Sequence, residues 1–258
     1  MDIRNLKGSI VALVTPFHAD GSVNFDKLKE LTQWHIASGT DAILALGTTG
    51  ESSTMTHEED DAVLRCVIEA AQGRVPVIAG TGSNSTQTML EKSLRAEALG
   101  ADGLLLITPY YNKGNAEGIY RHFVTVADAV KIPCILYNVP GRTGCSISVE
   151  NVERLSKHPN ICGIKEASGD MSYAMKIAHC VGPDFALYSG NDDITLPLMS
   201  IGGSGVISVF ANVMPGMCRQ IVADYAGGNQ ARALENHLKY LKLMNGLFME
   251  VNPIPVKT

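Results

Sequence analysis

The chain has 258 residues, a formal net charge of -5, 45% hydrophobic residues and 18% charged ones. That length and apolar share allow one large domain with a substantial core, while the dispersed charge offers no basic face for nucleic acid. No apolar run approaches the roughly 20 residues that span a bilayer.

Short β-branched runs alternate with longer helix-like segments along the chain. The opening, MDIRNLKGSIVALVTPF, has the layout of a signal peptide only superficially. Its apolar run is short, ends in Thr-Pro and lacks a small-residue cleavage site. It reads as a first strand, SIVALVTPF at 9–17, followed by AILALG at 42–47, VPVIAGTG at 75–82 and GLLLITPYY at 103–111. CILYNVP at 134–140, ICGIKEA at 161–167, FALYSGN at 185–191 and GVISVF at 205–210 complete the series. Nearly continuous apolar runs of this kind suit parallel strands covered on both faces. Between them, Ile119, Phe123, Val126 and Val130 share one face of a helix, and Phe25, Leu28, Leu31 and Trp34 are expected to do the same. Gly39, Gly73, Gly100, Gly182 and Gly202 sit where helices should stop, and Ser85 and Ser148 are candidate N-caps.

Repeated strand-helix units closing within about 210 residues predict an α/β fold of the (β/α)8 TIM-barrel type. An open doubly wound sheet would want a glycine-rich phosphate turn after the first strand, where this chain has TPF. The catalytic barrel is assigned to 1–226. Two helical segments, roughly 213–226 and 229–250, follow the last strand, and the chain stops at NPIPVKT. That ending reads as the opening of another element, so the C-terminal helical segment, 227–258, is expected to be incomplete.

Six cysteines (Cys66, Cys134, Cys145, Cys162, Cys180, Cys218) are dispersed without a C-x-x-C pair. The expectation is reduced thiols and a cytoplasmic setting. Seven histidines are scattered with no H-x-x-x-H pair and no combined Cys/His cluster, so no metal is expected.

In a barrel of this type, active sites gather at the C-terminal ends of the strands. GTTGE, TPYYN, YNVPGRTG, KEASG and SGND all fall there. Lys165 is the centre of the group. Strand alternation puts Gly163 and Lys165 on one side, with Cys162 and Ile164 on the other, so the glycine is expected to leave room beneath a lysine facing the axis. Partial burial lowers an ammonium pKa, and a desolvated lysine attacks ketones to form a Schiff base. The bland alternative is a lysine snorkelling from a strand end or pairing with Glu166. Tyr137 ends the adjacent strand, about 4.8 Å away, where a phenol can transfer protons. Thr48 and Thr49 leave the second strand through a glycine-flanked turn whose N–H groups suit a carboxylate. Arg142, in the GRTG loop, could bind a second carboxylate. GTGSNS (80–85) lacks the Lys-Ser/Thr of a phosphate loop, and GGSG (202–205) precedes the last strand, at the wrong end of the barrel.

GTTGES, TPYYNK, LYNVPGRTG, GIKEASGD and NPIPVK, in this order, resemble the dihydrodipicolinate synthase (4-hydroxy-tetrahydrodipicolinate synthase) family. That family belongs to the pyruvate-dependent class I aldolases, which include N-acetylneuraminate lyase. The resemblance runs from about Gly8 to the last residue. It implies that Lys165 condenses with pyruvate, with no cofactor beyond that covalent Schiff base. It implies Tyr137 as proton-transferring phenol, with Thr48 and Tyr111 as the rest of a hydroxyl relay, Tyr111 crossing from a neighbouring subunit. Arg142 would bind the carboxylate of aspartate semialdehyde, while Thr49, Gly190 and the Ile207 main chain would line the pyruvate pocket. The implied assembly is a homo-oligomer, dimer or tetramer, acting in lysine and diaminopimelate biosynthesis with small-molecule partners only.

Some members are inhibited by lysine, and the matching positions are Ser52, Ser53, His57, Asn84 and Tyr110. Asp60 stands where sensitive relatives often carry His and Thr88 where they often carry Glu, which predicts weak inhibition. Asn191 replaces a usual Asp. Two other readings compete: a Schiff-base lyase for sugar acids, and a barrel that senses a keto acid without turnover. Arg142 argues against the first, and the set of Lys165, Tyr137 and Thr48 against the second.

Overall fold

The computed structural model describes all 258 residues. Strands β1 (Gly8–Ala12), β2 (Ala42–Ala45), β3 (Val77–Gly80), β4 (Gly103–Ile107), β5 (Cys134–Asn138), β6 (Ile161–Glu166), β7 (Ala186–Ser189) and β8 (Gly205–Ser208) close in sequence order into a barrel. Every neighbouring pair is parallel, including β8 with β1. Around it run α1 (Phe25–Ala37), α2 (His57–Ala71), α3 (Thr86–Leu99) and α4 (Ala116–Ala129). A short α5 (Pro140–Thr143) precedes α6 (Val149–Leu155), α7 (Met171–Ile177), α8 (Thr195–Ser200) and α9 (Pro215–Ala226). The chain continues into α10 (Gln230–Gly246) and a final turn of helix, α11 (Ile254–Lys257). No helix is long and apolar enough to cross a membrane.

Alternation along the strands divides the core in two. Ile10, Ala12, Leu44, Ile78, Leu105, Ile135 and Tyr188 fill the barrel interior. Val11, Ile43, Leu104, Leu106, Leu136, Ile164 and Leu187 face outward onto helix residues such as Val63, Val67, Phe123 and Val126. The expected face of α4 is present, with Ile119, Phe123, Val126 and the following Val130 all buried. Ser85 and Ser148 cap α3 and α6, their hydroxyls accepting from the Thr88 and Asn151 amides.

The face expected for α1 is different. Phe25 and Trp34 are each 40% exposed, and Leu28, Thr32 and His35 form the buried stripe. These three follow the helical spacing of four and three residues as well as the aromatics do, and Thr32 satisfies its hydroxyl by donating to Leu28 O at 2.8 Å. The strands are also shorter than the apolar runs that mark them. Beyond β2 and β4 the backbone leaves extended geometry: Leu46 has φ 59° and Tyr111 has φ 73°. Pro16 and Pro109, in the expected extensions of β1 and β4, lack the N–H a ladder needs. The apolar tails of these runs therefore become the loops of the barrel mouth.

One strand is irregular. Cys134 pairs with Ile161, but Ile135 pairs with Gly163, so Cys162 is an extra residue in β6. The bulge turns Cys162 into the barrel interior beside Tyr137 and Tyr188, while Ile164 stays outside. The expectation that Cys162 and Ile164 share a face therefore fails, because strict alternation holds only after the bulge.

Candidate active site

Past the bulge, Lys165 pairs with Tyr137 on β5 and Tyr188 on β7, which places all three side chains on the interior side. Lys165 is 5% exposed and its Nζ lies 4.5 Å from the centre of the Tyr137 ring. Burial pushes the ammonium pKa down to about 8; Asp192 pulls it back and the Arg142 guanidinium pushes it further down. A substantial neutral fraction therefore exists near neutral pH, which is what a nucleophilic amine requires. Burial also raises the Tyr137 pKa, opposed by the Thr48 side chain and by Arg142. Glu166 points outward, where it accepts from Asn138 Nδ2 at 2.7 Å and from the Ser168 amide at 2.6 Å, so it does not pair with Lys165.

Room for the lysine comes from a different glycine than expected. A Cβ on Gly163 would stand 2.7 Å from Ala186 O, so that glycine allows β6 and β7 to approach. A Cβ on Gly190 would stand 3.0 Å from Lys165 Cε and collide with Ala167. Gly190, after β7, is the residue that leaves the lysine its place.

A cavity of about 380 Å³ reaches Tyr137, with Thr48, Arg142 and Thr143 beside it; Lys165 itself lies behind Tyr137 and is not part of the lining. Thr49 is buried and accepts from Asn252 Nδ2 at 2.9 Å. Arg142 donates to Asn252 O at 3.1 Å. Lys257 donates to Thr15 O at 2.9 Å and to Glu51 Oε2 at 2.6 Å. The segment NPIPVK therefore crosses the mouth and fixes the residues on either side of it. Ile207 lies on β8 in the barrel interior, 1% exposed. Asn252 and Lys257 received no role in the sequence reading, although their motif stood out; neither carries a recognisable spacing to the strand ends it joins.

Asp192, also without an assigned role, follows Gly190 by two residues and is 3% exposed. Its carboxylate accepts from Ser208 Oγ at 2.5 Å and from the Val209 and Phe210 amides at 3.0 and 2.9 Å. Burial raises its pKa, while these donors and Lys165 oppose the rise.

The family model of the dihydrodipicolinate synthetase family matches residues 5–258. The chain belongs to this family. A 4-hydroxy-tetrahydrodipicolinate synthase of Geotalea uraniireducens is 52% identical over 98% of this chain and 87% of its own length. Among solved structures, the chloride-inhibited dihydrodipicolinate synthase of Acinetobacter baumannii, complexed with pyruvate, is 46% identical with a TM-score of 0.95, covering 98% of this chain and 87% of that one. A structure described as the first monomeric dihydrodipicolinate synthase variant is 39% identical with a TM-score of 0.96, covering 99% and 87%.

The remaining positions matched to the dihydrodipicolinate synthetase family divide in two. Tyr111 is 88% exposed on the rim and does not line the cavity; within one chain it is not brought to Lys165. Ser52, Ser53, His57 and Tyr110 line the far end of the same cavity, joined by Asp60, Thr88 and Lys92. Asn84 stands apart from the lining and bonds Asn112, accepting from its Nδ2 at 2.7 Å through the main-chain oxygen. Lys92 was not singled out in the sequence. Its Nζ lies 2.8 Å from Asp60 Oδ2 and donates to Ser52 Oγ at 3.0 Å. Lys92 follows Thr88 by one helical turn on α3, which is the signal that would have found it.

Proposed function

We propose that this protein condenses pyruvate with L-aspartate 4-semialdehyde through a Schiff base on Lys165, giving 4-hydroxy-tetrahydrodipicolinate for lysine and diaminopimelate biosynthesis. The observation that carries the reading is the buried Lys165 amine, with its pKa lowered to about 8, 4.5 Å from the Tyr137 ring. The neutral amine adds to the ketone carbon of pyruvate to form a carbinolamine. Tyr137, linked to Thr48, returns a proton to the departing hydroxyl, and water leaves an iminium. Loss of a methyl proton gives an enamine whose terminal carbon attacks the semialdehyde. Thr49 and the turn amides suit the pyruvate carboxylate, with Gly190 and the Ile207 main chain beside it, and Arg142 suits the carboxylate of the second substrate. A sugar acid presents hydroxyls where the semialdehyde presents a carboxylate for Arg142, which disfavours the sugar-acid reading.

Tyr111 completes the relay from a second copy of the chain, so the active form is a homo-oligomer; its exposure at the rim supports this role. The cavity end at Ser52, Ser53, His57 and Tyr110, with Asn84 nearby, serves as a lysine-effector site, weakened because Asp60 is already paired with Lys92. Six free cysteines accord with a cytoplasmic setting.

Incubation with pyruvate and borohydride, followed by peptide mass spectrometry, tests the reading. The expected result is one reduced pyruvyl adduct on Lys165, and absence of that adduct overturns it. In a coupled assay Arg142→Ala should raise KM for aspartate semialdehyde about tenfold or more while changing KM for pyruvate little, as loss of a charge-assisted pair implies. Equal effects on both substrates would remove the assigned role of Arg142.

A further inference from the structure

Resting on the Schiff-base reading above, we propose that Asp192 is the fixed counter-ion of the Lys165 nitrogen: a positioning residue, clear of substrate, whose buried carboxylate balances the charge of the ammonium and of the iminium formed from it. The two residues are linked through the β7 terminus. Gly190 packs its backbone against Lys165 Cε, and Asp192 lies two residues further along, turned toward the end of β8.

The hydrogen bonds decide the charge state of Asp192. Val209 and Phe210 offer N–H groups, which can only donate. Ser208 Oγ accepts from the Ala211 amide at 2.8 Å and directs its own proton to Asp192 Oδ1. Two amides that can only donate meet Oδ2 and the hydroxyl meets Oδ1, an arrangement of donors that favours the ionised carboxylate. Behind Ser208 the polar chain continues to Cys218 Sγ, 3.4 Å from Ser208 Oγ, and from there to Ser9 Oγ at 3.1 Å.

The other ionisable groups around the pair do not supply this charge. Tyr137 and Arg142 face Lys165 from β5 and α5, and Arg142 adds positive charge. Tyr188, beside Lys165 on β7, donates its hydroxyl to Leu6 O at 2.6 Å. Glu166 faces outward and is bonded by Asn138 and Ser168. From α9, Cys218 faces Asp192 with its thiol pKa pushed up, and Asp41 lies beyond Cys218.

The chemistry gives such a carboxylate a use. An amine, a ketone and one proton combine to an iminium and a water, so a permanent cation appears where burial disfavours it. An anion held by its own donors stabilises that cation without taking the amine lone pair in a hydrogen bond. The nitrogen stays free to attack.

The test is the pH dependence of Lys165 trapping with pyruvate and borohydride in the full chain. In Asp192→Asn the inflection should move down by about one pH unit, as expected for loss of one nearby opposite charge. Above the inflection, where the free amine is neutral, the iminium fraction trapped at saturating pyruvate should fall severalfold. Arg142→Ala should move the inflection the other way. An unchanged or upward inflection in Asp192→Asn overturns the proposal, even if that variant is less stable. A second measurement needs neither pyruvate nor any change at Asp192. In Lys165→Met, carbon-13 NMR should show the Asp192 carboxyl titrating about one unit higher, by reciprocity of the same interaction. No shift there overturns the proposal as well. A wild-type protein that forms no adduct at any pH instead removes the Schiff-base reading, and the NMR titration still decides on the pair.

Discussion

Lys165 carries a cost that its chemistry justifies. Its pKa falls from an ordinary 10.5 to about 8 in the folded protein, chiefly through burial. The unfolded chain therefore binds more protons between these values, and stability from this residue rises as pH increases through that window. Below about pH 8 the folded protein bears the full penalty of a buried ammonium. Lys165→Met removes it while keeping similar volume, so it should abolish turnover yet stabilise the fold at pH 7 by about 1–3 kcal/mol. Calorimetry at pH 7 and pH 10 checks this: the gain should be largest at pH 7 and shrink toward pH 10. A Lys165→Met protein less stable than wild type at pH 7 would show that the amine is held by compensating contacts. The lysine itself was legible in the sequence because a single charge ends an apolar run. The glycine that accommodates it was not, since Gly163 within β6 and Gly190 just past β7 both come close to the lysine's strand and only the β6 bulge and the course of β7 distinguish them.

Among the elements, legibility followed burial. All eight strands were marked by apolar runs, because strands covered on both faces leave few polar positions, and those mostly at the strand ends, to blur the pattern. Their ends were overrun because the loops at the mouth are apolar too, and φ values such as 59° at Leu46 have no signature in hydropathy. The buried face of α1 was misread because Thr32 and His35 occupy it, and polar residues on a core face are invisible to an apolar count. Polar pairs joining two helices were equally hidden. Lys92 on α3 and Asp60 on α2 are 10% and 3% exposed and form an ion pair that closes the far end of the cavity. Breaking it by Lys92→Met leaves a buried unpaired carboxylate and should cost about 3 kcal/mol. Adding Asp60→Asn should recover more than half of that loss, a coupling that thermal or urea denaturation of the two single variants and the double one will measure. Additive effects would place the two helices' docking elsewhere.

At the scale of the molecule, the barrel and its family could be read from ordered motifs, because each motif sits at a strand end and the strands close in sequence order. The polar network across the mouth could not, because Asn252 and Lys257 meet Thr49, Arg142 and Glu51 only after the chain has returned over the barrel. Nor does one chain assemble every group assigned to the relay. Tyr111 stands 88% exposed with φ 73°, an unfavourable backbone for an aromatic residue, and its amide donates to Thr143 O at 3.4 Å, beside Arg142. Strain of this kind persists where surrounding structure fixes it, and here it projects a phenol away from its own barrel. If that phenol serves the mouth of a second copy, specific activity must depend on association. Sedimentation and activity measured over the same dilution series should fall together, activity dropping about tenfold or more as the mass approaches 27.6 kDa, the size of a missing proton-transfer group's contribution. Tyr111→Phe should lower kcat to a similar degree without changing the sedimentation profile. Constant specific activity through dissociation would instead mean that one chain completes its own relay, with Tyr137 and Thr48 sufficient for proton transfer.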